Sequence, residues 1–196
     1  MVTSLLELDF GKQYTYADYL TWKFVERVEL LKGFIRQMSA PSVRHQRISV
    51  RLSGMLSSFF RKTPCEVFHA PFDVRLYDRQ KSYLSDEQIY TVVQPDLCVI
   101  CDASKLDERG CNGAPDWIIE ILSPGNPQTD LRDKYELYQE AGVLEYWIVF
   151  PSEQIVEQFV LKEGSYYLHE VYHAEATAVP VLFPALSIPL QEVFAK

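Results

Sequence analysis

The sequence predicts an α/β domain: a mixed β-sheet flanked by helices, preceded by an N-terminal helix and a hairpin. Three observations carry this expectation. The run Trp117-Ile118-Ile119-Glu120-Ile121-Leu122 is almost wholly apolar, as a strand buried on both faces must be. Ile48, Leu52, Met55, Leu56 and Phe59 recur at helical spacing. Runs rich in β-branched and aromatic residues alternate with the helical stretches.

The elements follow in order. Thr15 suits the N-cap of a helix over residues 16–26. Val28-Glu29-Leu30-Leu31 and Phe34-Ile35-Arg36-Gln37-Met38 flank Lys32-Gly33, a pair fitted to a tight hairpin turn. Pro41-Ser42 opens a long helix over 43–61, which Pro64 ends. Residues 66–76 and 92–101 read as strands, with a polar loop over 77–90 between them. After the strand at Trp117, the segment Ser123-Pro124-Gly125-Asn126-Pro127 breaks the pattern. Thr129 then caps a helix over 130–141, and Gly142 is its C′ residue. Strands over 146–150, 155–161 and 166–172 precede a tail punctuated by Pro180, Pro184 and Pro189, expected to have little regular structure. No repeat or linker interrupts the chain, so one domain over 1–196 is expected.

Composition narrows the class. A chain of 196 residues can bury one good core. No apolar run approaches the roughly 20 residues that span a bilayer, so no membrane partner is expected. Met1 to Glu7 has neither a cationic nor a long apolar segment, and a cytoplasmic protein is the expectation. Cys98 and Cys101 have C-x-x-C spacing, but positions three apart on a strand face opposite ways. With no second pair to complete a zinc site, Cys65, Cys98, Cys101 and Cys111 are expected to be buried free thiols.

The formal charge of -8 argues at first against a nucleic-acid partner. Its distribution argues the other way. Between Leu30 and Cys65 lie seven basic residues and no acidic one, against 12 basic and 27 acidic residues elsewhere. Within that segment Arg44, Arg47 and Arg51 form a stripe along the long helix, a candidate for contacts to DNA phosphates or simply a solvated face.

Two carboxylates stand in apolar strands, where an unpaired charge is costly: Asp96, after Gln94-Pro95, and Glu120. A structural explanation must be invoked twice. One divalent cation held between them explains both at once, since Mg²⁺ is bound by one or two carboxylates together with water and phosphate oxygens. A hydrolase of phosphodiesters also wants a cationic side chain near such a pair. Two residues beyond Glu120 stands Leu122, but Asp130, Lys134 and Tyr138 share a face of the next helix, and Lys134 can lean back over the strand end. The plain alternative is a surface Asp130–Lys134 pair. His45, at i−3 and i−7 from Ile48 and Leu52, reads as a packed structural histidine. Asp73 reads either as a support to the site or as a cross-strand partner.

Pro95-Asp96 followed by Glu120-Ile121-Leu122 resembles the PD-(D/E)XK signature of restriction-endonuclease-like nucleases. The wider pattern resembles the Uma-type endonucleases of that superfamily, over residues 14–194. It includes Arg27-Val28-Glu29-Leu30-Leu31-Lys32-Gly33, Pro41-Ser42-Val43-Arg44-His45-Gln46 and Ala70-Pro71-Phe72-Asp73-Val74-Arg75-Leu76. Gly113-Ala114-Pro115-Asp116, Lys134, Tyr138 and Glu145-Tyr146-Trp147 extend it. The resemblance implies a restriction-endonuclease-like mixed β-sheet flanked by helices, and cleavage of DNA with Mg²⁺ (or Mn²⁺). It makes Asp96 and Glu120 the metal ligands, Lys134 the relocated lysine, and Glu29 an auxiliary ligand or water positioner. Leu122 departs from the signature, and Lys32 stands where the branch favours an acidic residue. Expected partners are DNA, a divalent metal and, as a homodimer, a second copy of the chain. The alternatives are a nuclease fold that has lost catalysis and serves as a binding or assembly module, and a metal-free two-carboxylate glycosidase.

Overall fold

The computed structural model describes residues 2–80, 84–123 and 128–195. Thr15 and Asp18 cap each other reciprocally at helix α1 (Tyr16–Tyr19). The helix stops well short of residue 26. Thr21, Trp22, Phe24 and Val25 are weak helix formers, and Trp22 instead packs on Tyr14, Tyr19 and Phe24. Strands β1 (Val28–Leu31) and β2 (Phe34–Gln37) form the expected hairpin. Lys32 (φ 52°) and Gly33 (φ 89°) supply the two positive φ angles that a type I′ turn demands.

Ser42 caps helix α2 (Val43–Phe60), accepting a hydrogen bond from the His45 N–H at 3.2 Å. The strands expected over 66–76 and 92–101 each divide. The first becomes β3 (Glu66–His69) and β4 (Val74–Leu76); the second becomes β5 (Thr91–Val93) and β6 (Leu97–Ile100). In each pair the two halves belong to different sheets. Pro71 and Pro95 explain the division, because a residue without an N–H interrupts a ladder. Short strands β7 (Leu106–Asp107) and β8 (Gly110–Asn112) pair ahead of β9 (Trp117–Ile121). Helix α3 (Gln128–Ala141) starts before Thr129, which therefore lies inside it rather than at its cap. Gly142 (φ 89°) ends it, donating its N–H to the Tyr138 carbonyl at 3.1 Å. The segment 124–127, expected to break the chain, lies outside the described residues.

Strands β10 (Glu145–Phe150), β11 (Ile155–Lys162) and β12 (Ser165–His173) form an antiparallel meander. The tail is more regular than expected, with a strand pair β13 (Thr177–Ala178) and β14 (Ile188–Pro189), then helix α4 (Leu190–Phe194). One sheet has the order β2-β1-β5-β4-β8-β7 and the other β12-β11-β10-β9-β6-β3. The second is mixed, because β9 and β10 run parallel across the α3 crossover. Helices α2 and α4 cover one face of it over Trp117, Ile119, Trp147 and Val149. Helix α3 covers the other, over Cys98, Ile118, Tyr146 and Ile148, where Val74 and Val93 of the first sheet join the same core. Among the described residues no helix is long and apolar enough to cross a membrane.

The cysteine expectation needs correction. Strands β3 and β6 pair antiparallel with Glu66 opposite Ile100, which brings Cys65 and Cys101 together at the end of the ladder, where they form a disulfide. Only Cys98 and Cys111 are buried free thiols. The register that joins two strands is not written in cysteine spacing. Cys98 and Cys101 do face opposite cores, so they share no site.

The packing of α2 is testable at Leu52, which is 1% exposed against the Trp117–Trp147 core. Leu52→Ala should lower unfolding free energy by about 2–5 kcal/mol in urea denaturation. A change within experimental error would show that α2 is not packed against this sheet.

Candidate active site

The site lies at the seam between the two sheets. Strand β6 pairs with β9 in a register of Leu97 with Ile119 and Cys98 with Ile118. Continued by one residue, that register sets Asp96 opposite Glu120, on the face that α3 covers. Asp96 is anchored from two sides: its Oδ2 accepts the Ile121 N–H at 2.7 Å, and its Oδ1 lies 3.1 Å from His45 Nε2. Glu120 is buried, and its Oε1 accepts hydrogen bonds from Tyr138 (2.6 Å) and Lys134 (2.9 Å). Lys134 and Tyr138 reach one carboxylate because they are one helical turn apart on α3. The same Lys134 Nζ donates to Glu29 Oε1 at 3.1 Å. Glu29, on β1 of the other sheet, also accepts the Gln94 N–H at 2.8 Å.

Burial and crowding shift these groups. Loss of water pushes the Glu120 carboxyl up to about 7, helped by Asp96 and Glu29 and opposed by Lys134. Burial alone would lower the Lys134 ammonium, but Glu120 and Glu29 hold it above its ordinary value, so it stays charged. Burial likewise works to lower His45, and the hydrogen bond and charge of Asp96 outweigh it and raise the imidazole. Tyr138 is raised far out of range by burial first and by Glu120 second, and it serves as a neutral donor.

The donor set suits a hard divalent cation. Three carboxylates, Glu29, Asp96 and Glu120, converge on the one ammonium of Lys134, with the His45 imidazole against Asp96. All the available ligand atoms are carboxylate oxygens, the kind Mg²⁺ and Mn²⁺ prefer. Among the described residues no group of three His, Cys, Asp or Glu side chains encloses a metal by itself. Asp96 and Glu120 would be its protein ligands, with water and phosphate completing the shell.

The candidates named from the sequence separate into two groups. Asp96, Glu120, Lys134 and Glu29 come together here. The stripe Arg44, Arg47 and Arg51 does not join them. Arg44 donates to the Pro151 carbonyl at 3.3 Å, and Arg51 donates to the Val193 and Ala195 carbonyls of the tail. The face of α2 that lines the carboxylate cleft carries Gln46, Ser49 and Ser53 instead. Leu122 packs into the apolar cluster under α3, which leaves the cation to Lys134. The surface alternative for Lys134 involved Asp130, whose side chain lies outside the described residues. Lys32 is peripheral, paired with Glu140 at 2.9 Å.

Sequence reasoning undervalued His45, Gln94 and Arg27. His45 is packed, as its spacing says, but it sits in the first turn of α2, where the apolar stripe reaches the sheet end and Asp96. Asp73 supports the site at one remove, accepting from Gln94 Nε2 at 2.9 Å. Arg27, Glu29, His45, Gln94, Asp96, Glu120 and Lys134 open onto a cleft of about 570 Å³.

A mixed sheet between helices, with carboxylates on adjoining strands beneath a helix-borne lysine, has the restriction-endonuclease-like architecture. A solved structure described as a "putative nuclease belonging to DUF820" from Anabaena variabilis superposes with a TM-score of 0.70, covering 93% of this chain and 98% of that one at 22% identity. "Uncharacterized protein slr1290" of Synechocystis is 26% identical over 140 residues, 70% of this chain and 68% of its own length. Residues 16–191 match the family Uma2, described as "Putative restriction endonuclease", and the chain belongs to that family.

A lysine on an exposed helix face contributes little to folding. The Lys134 side chain is only 14% exposed, between two carboxylates. Lys134→Ala should therefore lower metal-free stability at pH 8 by about 3 kcal/mol. The loss should shrink as pH falls below about 7, where Glu120 takes up a proton and no longer needs a counter-charge. Equal losses at pH 5.5 and pH 8 in denaturant titrations would contradict this pairing.

Proposed function

We propose that this chain is an endonuclease that hydrolyses DNA phosphodiester bonds with Mg²⁺ or Mn²⁺ held by Asp96 and Glu120. The observation that carries the reading is the Lys134 ammonium, 2.9 Å from Glu120 and 3.1 Å from Glu29 beside Asp96, in place of the lysine missing at position 122. A bound divalent ion there would acidify a water and neutralise charge on the phosphate. Lys134 stabilises the negative charge that develops on the phosphoryl oxygens and orients the attacking water. His45 holds the Asp96 carboxylate from Oδ1 while the Ile121 amide holds Oδ2, so its direction is set before substrate arrives. Tyr138 fixes the Glu120 rotamer in the same way. Glu29 keeps the lysine in place and is the nearest further carboxylate to position a water. The stripe on α2 would give outlying backbone contacts, chiefly through Arg47, which has no protein partner among the described residues.

Supercoiled plasmid incubated with the protein should be nicked or linearised with Mg²⁺ or Mn²⁺, and spared when chelator is added. Asp96→Asn and Glu120→Gln should both be inactive, and Lys134→Ala slower by roughly 10²–10³-fold. Binding of duplex without cleavage by the parent would instead favour the binding-module reading. Chelator-resistant hydrolysis would remove the metal from the scheme. Mn²⁺ affinity measured by calorimetry should weaken as pH falls through about 7, since a proton competes for Glu120. An affinity independent of pH between 6 and 8 would show that Glu120 is not a ligand.

A further inference from the structure

A phosphate entering the cleft meets three carboxylates, so it needs a cation that the protein has not already spent. Most nearby cations are engaged. Lys134 is shared by Glu29 and Glu120, and Arg36 pairs with Asp133 at 3.5 Å. Arg27 differs. Its Nε and one terminal nitrogen both donate to the Gln94 side-chain oxygen, at 3.2 and 2.7 Å. That acceptor is neutral. Among the described residues no carboxylate lies within ion-pair distance of Arg27; it acts on Asp73 only at longer range, so no direct pair neutralises its guanidinium.

The hold on Arg27 is two-pointed and leads directly into the site. A guanidinium only donates, so the oxygen of Gln94 must face it and the amide nitrogen must face away. That nitrogen donates to Asp73 at 2.9 Å, and the Gln94 backbone N–H donates to Glu29 at 2.8 Å. Gln94 is followed at once by Pro95-Asp96. The Arg27 backbone is fixed as well, its carbonyl accepting the Met38 N–H at 2.9 Å across the hairpin. Arg27 lines the same cleft as Asp96, Glu120 and Lys134. With two of its five N–H groups used on Gln94, three remain for a ligand, enough for a bidentate grip on a phosphate.

Building on the DNA-cleavage reading, we propose that Arg27, oriented by Gln94, binds a backbone phosphate of the DNA next to the one that is cut. The arginine thereby sets the register of the strand over Asp96 and Glu120. A side chain already held loses little freedom on binding, which favours affinity.

The test measures binding of a short fluorescein-labelled duplex by anisotropy in Ca²⁺ across a KCl series, alongside Mn²⁺ affinity and melting temperature. Arg27→Ala should bind the duplex roughly tenfold or more weakly. Its log–log salt slope should flatten by about 0.9, the value of one phosphate contact. Mn²⁺ affinity should match the parent. Arg27→Lys should keep the slope and lose part of the affinity, since it retains charge without the fork. Arg27→Met keeps the aliphatic stem and replaces the alanine variant if that fails to fold. Parent-like affinity and slope in the alanine or methionine variant would overturn the proposal while leaving the nuclease reading intact. A parent that neither binds nor cuts duplex would overturn both.

Discussion

The ammonium of Lys134 holds together what the rest of the site depends on. Glu29 comes from the first sheet, and Glu120 from the second, and each is buried. Two carboxylates drawn from different sheets would repel each other across a region with little water. One lysine between them turns that repulsion into an attraction and ties the sheets together at this seam. The lysine is delivered by the β9–α3–β10 crossover, which lays α3 back over the strand bearing Glu120. Site and topology are thus one arrangement: moving Lys134 along α3 by two residues would turn it away from both carboxylates.

The seam itself is made by a proline. Pro95 interrupts what would otherwise be a continuous strand, and there the chain leaves the first sheet as β5 and enters the second as β6. Gln94 and Asp96 flank this crossing. Gln94 spends its backbone N–H on Glu29 and its side chain on Arg27 and Asp73, while Asp96 turns toward His45 and the Ile121 amide. Three consecutive residues therefore fix the relation between a cationic arginine, two carboxylates and a histidine. The Pro-Asp pair of the signature gains a physical meaning here: the proline frees the aspartate from continuous pairing at the place where the two sheets meet.

Much of this was legible in the sequence, for reasons particular to each residue. Glu120 announced itself by standing alone in an apolar run, whereas the alignment of Lys134 with Tyr138 left a surface pair with Asp130 equally open. The hairpin at Lys32-Gly33 and the long helix followed from local chemistry. What escaped depended on contacts between segments distant in the chain. The aromatic packing of Trp22 ended α1 early, and the β3–β6 register paired Cys65 with Cys101. His45 carried the same helical spacing as its core neighbours, and spacing cannot say that the core gives way to a carboxylate at that level. The arginine stripe shows the same limit of periodicity. Periodicity identified a shared face of α2, but not the carbonyls of Pro151 and the tail that occupy Arg44 and Arg51.

Glu145 shows why a buried carboxylate alone does not mark a reactive centre. It is fully buried, more so than Glu120, and lies on the strand parallel to it. Its Oε1 accepts from Trp147 Nε1, Gln158 Nε2 and the Val181 N–H, and its Oε2 from the Leu182 N–H. Four neutral donors surround it, and they fasten the tail to the sheet. Glu120 faces the opposite situation. Its Oε1 is held by Tyr138 and a shared lysine, two further carboxylates stand nearby, and the group borders an open cleft. Dipoles complete the first environment and leave nothing to bind. The second has too few positive charges for its carboxylates, and that deficit is what would draw a cation and, through it, a phosphate.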